Sequence, residues 1–323
     1  MKKPMITLLA LVVHKLATLG EEGLKWRANL NNLLEELEQQ WQLKVEGSLE
    51  GGSEAYVAKA TTHQGEKVIL KVAIPQMNGN TVLVNEVTAL TLANGRGYVR
   101  LLRFDPERKA LLLEQLGLPL KALGYSTSKQ IELICTTLKH SWLSLSSSSL
   151  SAGSALPTGP GVTEWFSDFI AELWEELDRP CSEHLVEMAL GFTQARAKAF
   201  DPEVAVLVHG DVHNGNTLQA LSPNSQSQPC FKLIDPDGLI AEPAYDLGVL
   251  MREWADEMMP EPVELGRERC AYLSKLTGAD PKAIWQWGFI QTMSTGLLLL
   301  KVGQAQAGFQ LLNLAEAWST VSN

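Results

Sequence analysis

The triplet His209-Gly210-Asp211 follows a short apolar run, Ala205–Val208, and leads into His213 and Asn216. An aspartate with an asparagine five positions on is a spacing that phosphoryl transfer uses. The carboxylate receives the proton of an acceptor hydroxyl, and the asparagine holds Mg²⁺. The same residues could instead form an Asx-rich turn that satisfies its own backbone. A second motif weighs against that alternative. Phe231-Lys232-Leu233-Ile234-Asp235-Pro236 is an apolar strand ending in a carboxylate, a place from which Asp235 could bridge a divalent cation to phosphates. Asp235 could also be a turn residue before Pro236. The separation of Asp211 and Asp235 suits a hairpin with both at one end.

Upstream, Val68-Ile69-Leu70-Lys71 reads as a strand that ends in lysine. An ammonium among apolar neighbours needs a partner. Glu86, on the helix that follows, is the candidate for an ion pair that orients Lys71 toward phosphates. The segment Gly47–Val57 reads GSLEGGSEAYV. Aligned through Val57 with the glycine-rich phosphate loop G-x-G-x-x-G-x-V, only Gly52 agrees. Ser48 and Ser53 could still offer hydroxyls and backbone N–H groups to phosphate, or the segment is a plain hairpin loop. No G-x-x-x-x-G-K-[ST] occurs, so nothing supports a P-loop.

These residues need elements to hold them. Leu24–Leu43 carries apolar residues at threes and fours and predicts a helix. Leu43–Leu49, Ala55–Thr61 and Lys67–Val72 predict an antiparallel meander, with turns at Gly51-Gly52 and Thr62–Gly65. A helix is expected over Thr81–Ala93, ending near Asn94-Gly95. Strands are expected at Tyr98–Phe104 and Lys109–Gln115, joined by the turn Asp105-Pro106-Glu107-Arg108. Beyond Gly117 the pattern turns helical, with candidates at Lys129–Trp142, Val162–Leu177 and Glu183–Phe200. The Ser, Gly and Pro content of Ser144–Gly161 marks a surface loop. Short strands return at Ala205–Val208 and Cys230–Ile234, and helices complete the chain. The order is α+β with two lobes, residues 1–117 and 118–323.

The 323 residues suffice for two lobes, each with its own core. A hydrophobic fraction of 45% and a charged fraction of 20% are those of an ordinary globular protein. The net charge of -10 argues against a partner bound by phosphate neutralisation, such as nucleic acid. The four cysteines are scattered and form no CxxC motif; they read as reduced thiols and point to a cytoplasmic protein. The apolar run Met5–Val13 behind Lys2 and Lys3 is too short to span a bilayer. It is either an amphipathic helix packed on the body or a short export signal.

In chain order the set runs glycine loop, Lys71, Glu86, Asp211, Asn216, Asp235. With "VHGDVHNGNTL" and "LIDPDGLIAEPAYDLGVL", the sequence resembles the aminoglycoside phosphotransferase branch of the protein-kinase-like fold. In that branch HGDxHxxN stands in place of HRDxxxxN, and IDP in place of DFG. "NGRGYVRLLRFDPERKALLLEQL" and "DPKAIWQWGF" are similar to the streptomycin 6-phosphotransferase and hydroxyurea phosphotransferase subgroup. The resemblance covers roughly Leu16 to Leu300.

It implies a bilobal fold with a small antiparallel-sheet N-terminal lobe that binds nucleotide, and a mostly helical C-terminal lobe that carries catalysis and substrate. Asp211 would be the catalytic base. Asn216 and Asp235 would hold Mg²⁺. Lys71 would hold the phosphates of ATP, and the backbone of Glu114–Leu116 would meet the adenine. Asp246 would anchor the catalytic lobe, and His209 and His213 would support the loop. The acceptor would be a hydroxyl on a small molecule, an aminoglycoside such as streptomycin. Asp237, Glu242, Glu253, Asp256, Glu257, Glu261 and Glu264 could pair with a cationic acceptor, or line solvated helix faces. Trp285 and Trp287 could stack on a guanidinium, with core packing the alternative. The rival readings are a kinase of this fold acting on an endogenous metabolite, and a silent binding protein that keeps the fold.

Overall fold

The structure, a computed structural model, describes residues 6–49, 52, 54–75, 81–144, 156–221 and 230–321. The chain divides into two compact units, Met1–Gly117 and Leu118–Asn323.

The first unit runs α1 (Ala10–Thr18), α2 (Gly20–Trp41), β1 (Leu43–Ser48), β2 (Ala55–Thr62), β3 (Lys67–Ala73), α3 (Thr81–Ala93), β4 (Leu101–Asp105) and β5 (Ala110–Glu114). Its strands form one antiparallel sheet in the order β1-β2-β3-β5-β4. Leu30, Leu34, Leu37 and Trp41, spaced by threes and fours on α2, pack on Val45, Tyr56, Ala58, Val68, Leu70, Val72 and Leu112. Strand alternation then fixes the other face. Val68, Leu70 and Val72 are buried against α2, so Ile69 and Lys71 project from the opposite side. The strand expected from Tyr98 begins at Leu101, because the chain leaves α3 through positive-φ turns at Asn94, Gly95 and Gly97. The apolar N-terminal segment forms α1, later than the run Met5–Val13 suggests, and Met5 lies outside the described residues. Val12 and Leu16 of α1 are buried in a small cluster with Ile74.

The second unit contains α4 (Thr127–Ser141), β6 (Leu143–Ser144), α5 (Gly159–Glu176), α6 (Glu183–Ala199), β7 (Val206–Val208), β8 (Thr217–Gln219), β9 (Phe231–Leu233), β10 (Leu239–Ala241), α7 (Ala244–Arg252), α8 (Ala255–Met258), α9 (Pro262–Thr277), α10 (Pro281–Lys301) and α11 (Ala305–Ser319). The strands expected around the HGD motif exist but do not pair with each other. Strand β7 lies between β10 and β6, and β9 pairs with β8. Three-residue strands are too short to announce their partners by alternation. Of the Ser-rich segment, residues 145–155 lie outside the described residues.

Helix α10 organises this unit. Asp280 caps it by accepting from the backbone N–H groups of Lys282 at 3.1 Å and Ala283 at 3.3 Å, with Pro281 in its first turn. The helix is buried for most of its length and packs on α7, α11, α6 and α5. Its approach to α7 is close because glycine stands on both sides. A Cβ on Gly248 would lie 2.8 Å from Trp287, and one on Gly288 would lie 2.7 Å from Met251. Every residue of α7 from Ala244 to Met251 is buried. Among the described residues, no helix is long and apolar enough to cross a membrane. Burial pushes the Cys135 thiol up to about 12 and the Cys270 thiol up to about 11, so neither is primed as a nucleophile.

Candidate active site

Strand β7 ends at Val208, and the next three residues turn over the N-terminal end of α7. Asp246, fully buried in the first turn of α7, holds them. Its Oδ2 accepts from the His209 N–H at 3.0 Å and from Trp142 Nε1 at 2.9 Å, and its Oδ1 accepts from the Gly210 N–H at 2.9 Å. Burial pushes this carboxyl up, and the three donors oppose that by favouring the anion. His209 is also fully buried. Its Nδ1 accepts from the Asp211 N–H at 3.1 Å, so the ring proton sits on Nε2 and is donated to the Ile234 carbonyl at 2.8 Å. Burial holds the imidazole below its usual range. His209 thus ties the HGD loop to the IDP strand as a neutral ring. Gly210 has φ +98°, and a Cβ there would lie 2.7 Å from the Asp237 Cβ. Both facts exclude a side chain at this position.

The turn delivers Asp211 to the surface, its side chain 41% exposed. Arg252, the last residue of α7, donates through Nη2 to Asp211 Oδ1 at 2.7 Å. The other oxygen, Oδ2, has His213 Nε2 at 3.7 Å. His213 Nδ1 accepts from the Gly215 N–H at 2.9 Å, which leaves the proton of the neutral ring on Nε2, facing the carboxylate. Asn216 Nδ2 donates to the Asp211 carbonyl at 3.0 Å, so its Oδ1 is the atom left for a cation. The Ile234 N–H donates to the Asn216 carbonyl at 3.0 Å and brings Asp235 alongside. Asp235 itself has φ +55°, a left-handed conformation uncommon outside glycine and found at functional sites. Hydrogen bonds linking Ile234 to His209 and Asn216 therefore bring the HGD loop, with Asp211 and Asn216, alongside the segment that carries Asp235. Among the described residues, no three His, Cys, Asp or Glu side chains form a metal cluster. Two oxygen donors, Asn216 Oδ1 and the Asp235 carboxylate, would suit Mg²⁺, which keeps waters and takes few protein ligands.

In the first unit, Lys71 Nζ lies 2.7 Å from Glu86 Oε1, with side chains 13% and 6% exposed. Val57 pairs with Lys71 across β2 and β3, so both share the face away from α2. Gly52 has φ +78°, and a Cβ there would lie 2.9 Å from Val57 Cγ2, so Gly52 lies against Val57. Ser53 lies outside the described residues. Glu114 Oε1 accepts from the Arg100 N–H at 2.8 Å, and Leu116 is partly buried. An ion pair this enclosed is costly to break from one side. Lys71→Met is expected to lower unfolding free energy by about 3 kcal/mol. Adding Glu86→Leu should recover most of the loss, as read by urea denaturation of the single and double variants.

Several carboxylates offered as acceptor contacts have partners within the fold. Glu242 accepts from Arg196 at 3.2 Å and from Trp287 Nε1 at 2.9 Å. Glu257 accepts from Thr127 Oγ1 at 2.6 Å, and Asp256 accepts from Gln310. The Glu253 carbonyl accepts from Arg269. Asp237 is exposed, against Gly210. Trp285 and Trp287 are buried, and Trp287 packs edge-on against Tyr245 at 4.8 Å. Sequence reasoning missed Arg252 and Trp142. The signal for Arg252 was a lone cation ending the helix YDLGVLMR, whose one other charge is Asp246 in its first turn, and such a charge wants a partner.

Comparison with known proteins follows the same lines. Residues 40–303 match the profile of the aminoglycoside/hydroxyurea antibiotic resistance kinases. A streptomycin 6-kinase of Streptomyces glaucescens is 25% identical over 307 residues, covering 92% of each chain. A hydroxyurea phosphotransferase of Kitasatospora aureofaciens is 27% identical over 263 residues, 77% of this chain and 71% of that one. Among solved structures, choline kinase LicA from Streptococcus pneumoniae superposes with a TM-score of 0.60 at 16% identity, covering 91% of this chain and 100% of that one. Aminoglycoside phosphotransferase APH(4)-Ia, solved with ADP and hygromycin B, gives 0.58 at 13% identity, covering 88% and 97%. The fold is that of the protein-kinase-like phosphotransferases.

Proposed function

The chain belongs to the aminoglycoside/hydroxyurea antibiotic resistance kinase family, and on that premise we propose that it transfers the γ-phosphoryl group of ATP to a hydroxyl of an aminoglycoside, with streptomycin the first acceptor to test. The observation that carries this reading is the hydrogen-bonded juxtaposition of the HGD loop, with Asp211 and Asn216, and the segment Ile234-Asp235. The resemblance to streptomycin 6-kinases over most of the chain supports the choice of acceptor.

Asp211 Oδ2 takes the proton of the acceptor hydroxyl as its oxygen bonds to the γ-phosphorus and the bond to the β-phosphate oxygen breaks, releasing ADP. Arg252 on Oδ1 leaves Oδ2 as the oxygen for that proton. Asn216 Oδ1 and Asp235 would hold Mg²⁺, whose charge offsets that of the phosphates. Lys71, oriented by Glu86, holds the nucleotide phosphates, and the backbone of Glu114–Leu116 meets the adenine. Such transfer rests on positioning and electrostatics rather than on covalent chemistry by the protein.

Purified protein incubated with Mg·ATP and streptomycin is expected to yield a drug heavier by one phosphoryl group in the mass spectrum. Hydroxyurea and other aminoglycosides form the comparison panel. Tight nucleotide binding with no transfer to any of them would sink the antibiotic acceptor and favour an endogenous metabolite. Absence of nucleotide binding would sink the kinase reading.

A further inference from the structure

Helix α7 grips the HGD loop at both of its ends. At its first turn Asp246 holds the backbone N–H groups of His209 and Gly210. Six residues later, about 9 Å along the axis, Arg252 holds the side chain of Asp211 at 2.7 Å. The helix between them is buried and bolted to α10 through Gly248 and Gly288. The Asp211 side chain is 41% exposed, while that of Arg252 is only 17% exposed. A carboxylate this open would sample its rotamers freely unless something fixed it.

The Arg252 guanidinium is a poor choice for stability alone. Its Nε is buried with no hydrogen-bond partner. Among the described residues, its single hydrogen bond is the one to Asp211. An unsatisfied buried N–H costs folding free energy. A charged group kept at such a cost, aimed at one carboxylate, marks a functional constraint. End-on contact through Nη2 also decides which oxygen is used. Oδ1 is occupied, and Oδ2 is presented on the side of His213.

We propose that Arg252 is a positioning residue for the phosphoryl transfer: it holds Asp211 in the one rotamer that offers Oδ2 to the acceptor hydroxyl. The inference rests on the kinase reading given above. It predicts that removing the guanidinium harms turnover and not the fold. Arg252→Gln is expected to lower kcat by about 100-fold, the scale set by misplacing a reacting group by an ångström. The KM for ATP and for the acceptor should change little, because on this proposal Arg252 acts through Asp211 and not on either ligand. Arg252→Lys should retain part of the activity, since a point charge can still reach Oδ1 but lacks the rigid fork.

The test measures kcat, both KM values and the urea midpoint for the native enzyme, Arg252→Gln, Arg252→Lys and Arg252→Ala, the last with and without added guanidinium chloride below denaturing concentration. Support would be a fall in kcat with an undiminished midpoint and partial recovery of Arg252→Ala by guanidinium ion. Native kcat in Arg252→Gln would overturn the inference. So would a rise in kcat, which would make the ion pair an inhibitory latch. A loss of kcat that tracks the midpoint, with no rescue, would reduce Arg252 to a structural contact and also overturn it. Failure of the native enzyme to phosphorylate any acceptor would remove the kinase reading and the inference with it, an outcome distinct from native turnover that the variants leave intact.

Discussion

Asp211→Asn is expected to lower kcat by about 10³-fold, within the range for loss of a positioned general base, while nucleotide affinity and the unfolding midpoint stay near native. The amide matches the carboxylate in shape, and its oxygen can still accept from Arg252 Nη2. Its nitrogen then occupies the place of Oδ2 and cannot take a proton. The side chain is half exposed and supports no packing, so the fold has little to lose. Backbone contacts at this position, the N–H to His209 Nδ1 and the carbonyl from Asn216 Nδ2, survive the change. Steady-state kinetics with ATP and streptomycin, alongside calorimetric titration with Mg·ATP, would separate chemistry from binding. A variant that keeps kcat within a factor of ten would leave Asp211 without a role as base.

The largest effect on stability is expected at Asp246. Asp246→Ala leaves three donors without their acceptor: the His209 N–H, the Gly210 N–H and Trp142 Nε1. The two backbone groups are buried with their residues, and each stranded donor costs about 1–3 kcal/mol. The sum, on the order of 4 kcal/mol, is a large share of the roughly 5–15 kcal/mol that stabilises a domain. Asp246→Asn keeps one acceptor oxygen and should fall between the native protein and Asp246→Ala. Urea denaturation of the three proteins checks the order. A loss under about 1 kcal/mol in Asp246→Ala would mean that the HGD loop is held by something other than this carboxylate.

The sequence was most legible where one signal recorded burial and spacing together. Helix α3 occupies Thr81–Ala93 as expected, and β3 carries Lys71 on the face opposite Val68, Leu70 and Val72. From those two elements the Lys71–Glu86 pair could be anticipated, because alternation on the strand and the helix that follows leave the lysine few carboxylates to reach. Asp211, Asn216 and Asp235 were picked out for another reason, residue types at set spacings, and the hydrogen bonds between their segments agree with their being neighbours. Partners of short strands were not legible. Strands β7 and β9 flank the motif in sequence yet belong to separate sheets, and three residues carry too little pattern to say so. Nor does periodicity name the partner of a charge. Glu242 read as a possible ligand for a cation, and its partners are Arg196 and Trp287, 46 and 45 residues away in sequence. Arg252 lies 41 residues from Asp211, a separation that only the fold brings together.

The glycine contact between α7 and α10 has a consequence for how this enzyme can change over generations. With Gly248 against Trp287 and Gly288 against Met251, the helix that carries Asp246 and Arg252 has no space for a larger residue at either glycine. Mutations along it are filtered before any drug selects among them, since a displaced α7 moves the HGD loop and the Asp211 side chain that it holds. New acceptor scope has to come from positions outside this contact, such as the exposed Glu261 and Glu264. A library spread evenly over the chain should therefore return altered specificity from those side chains and inactive clones from the two glycines.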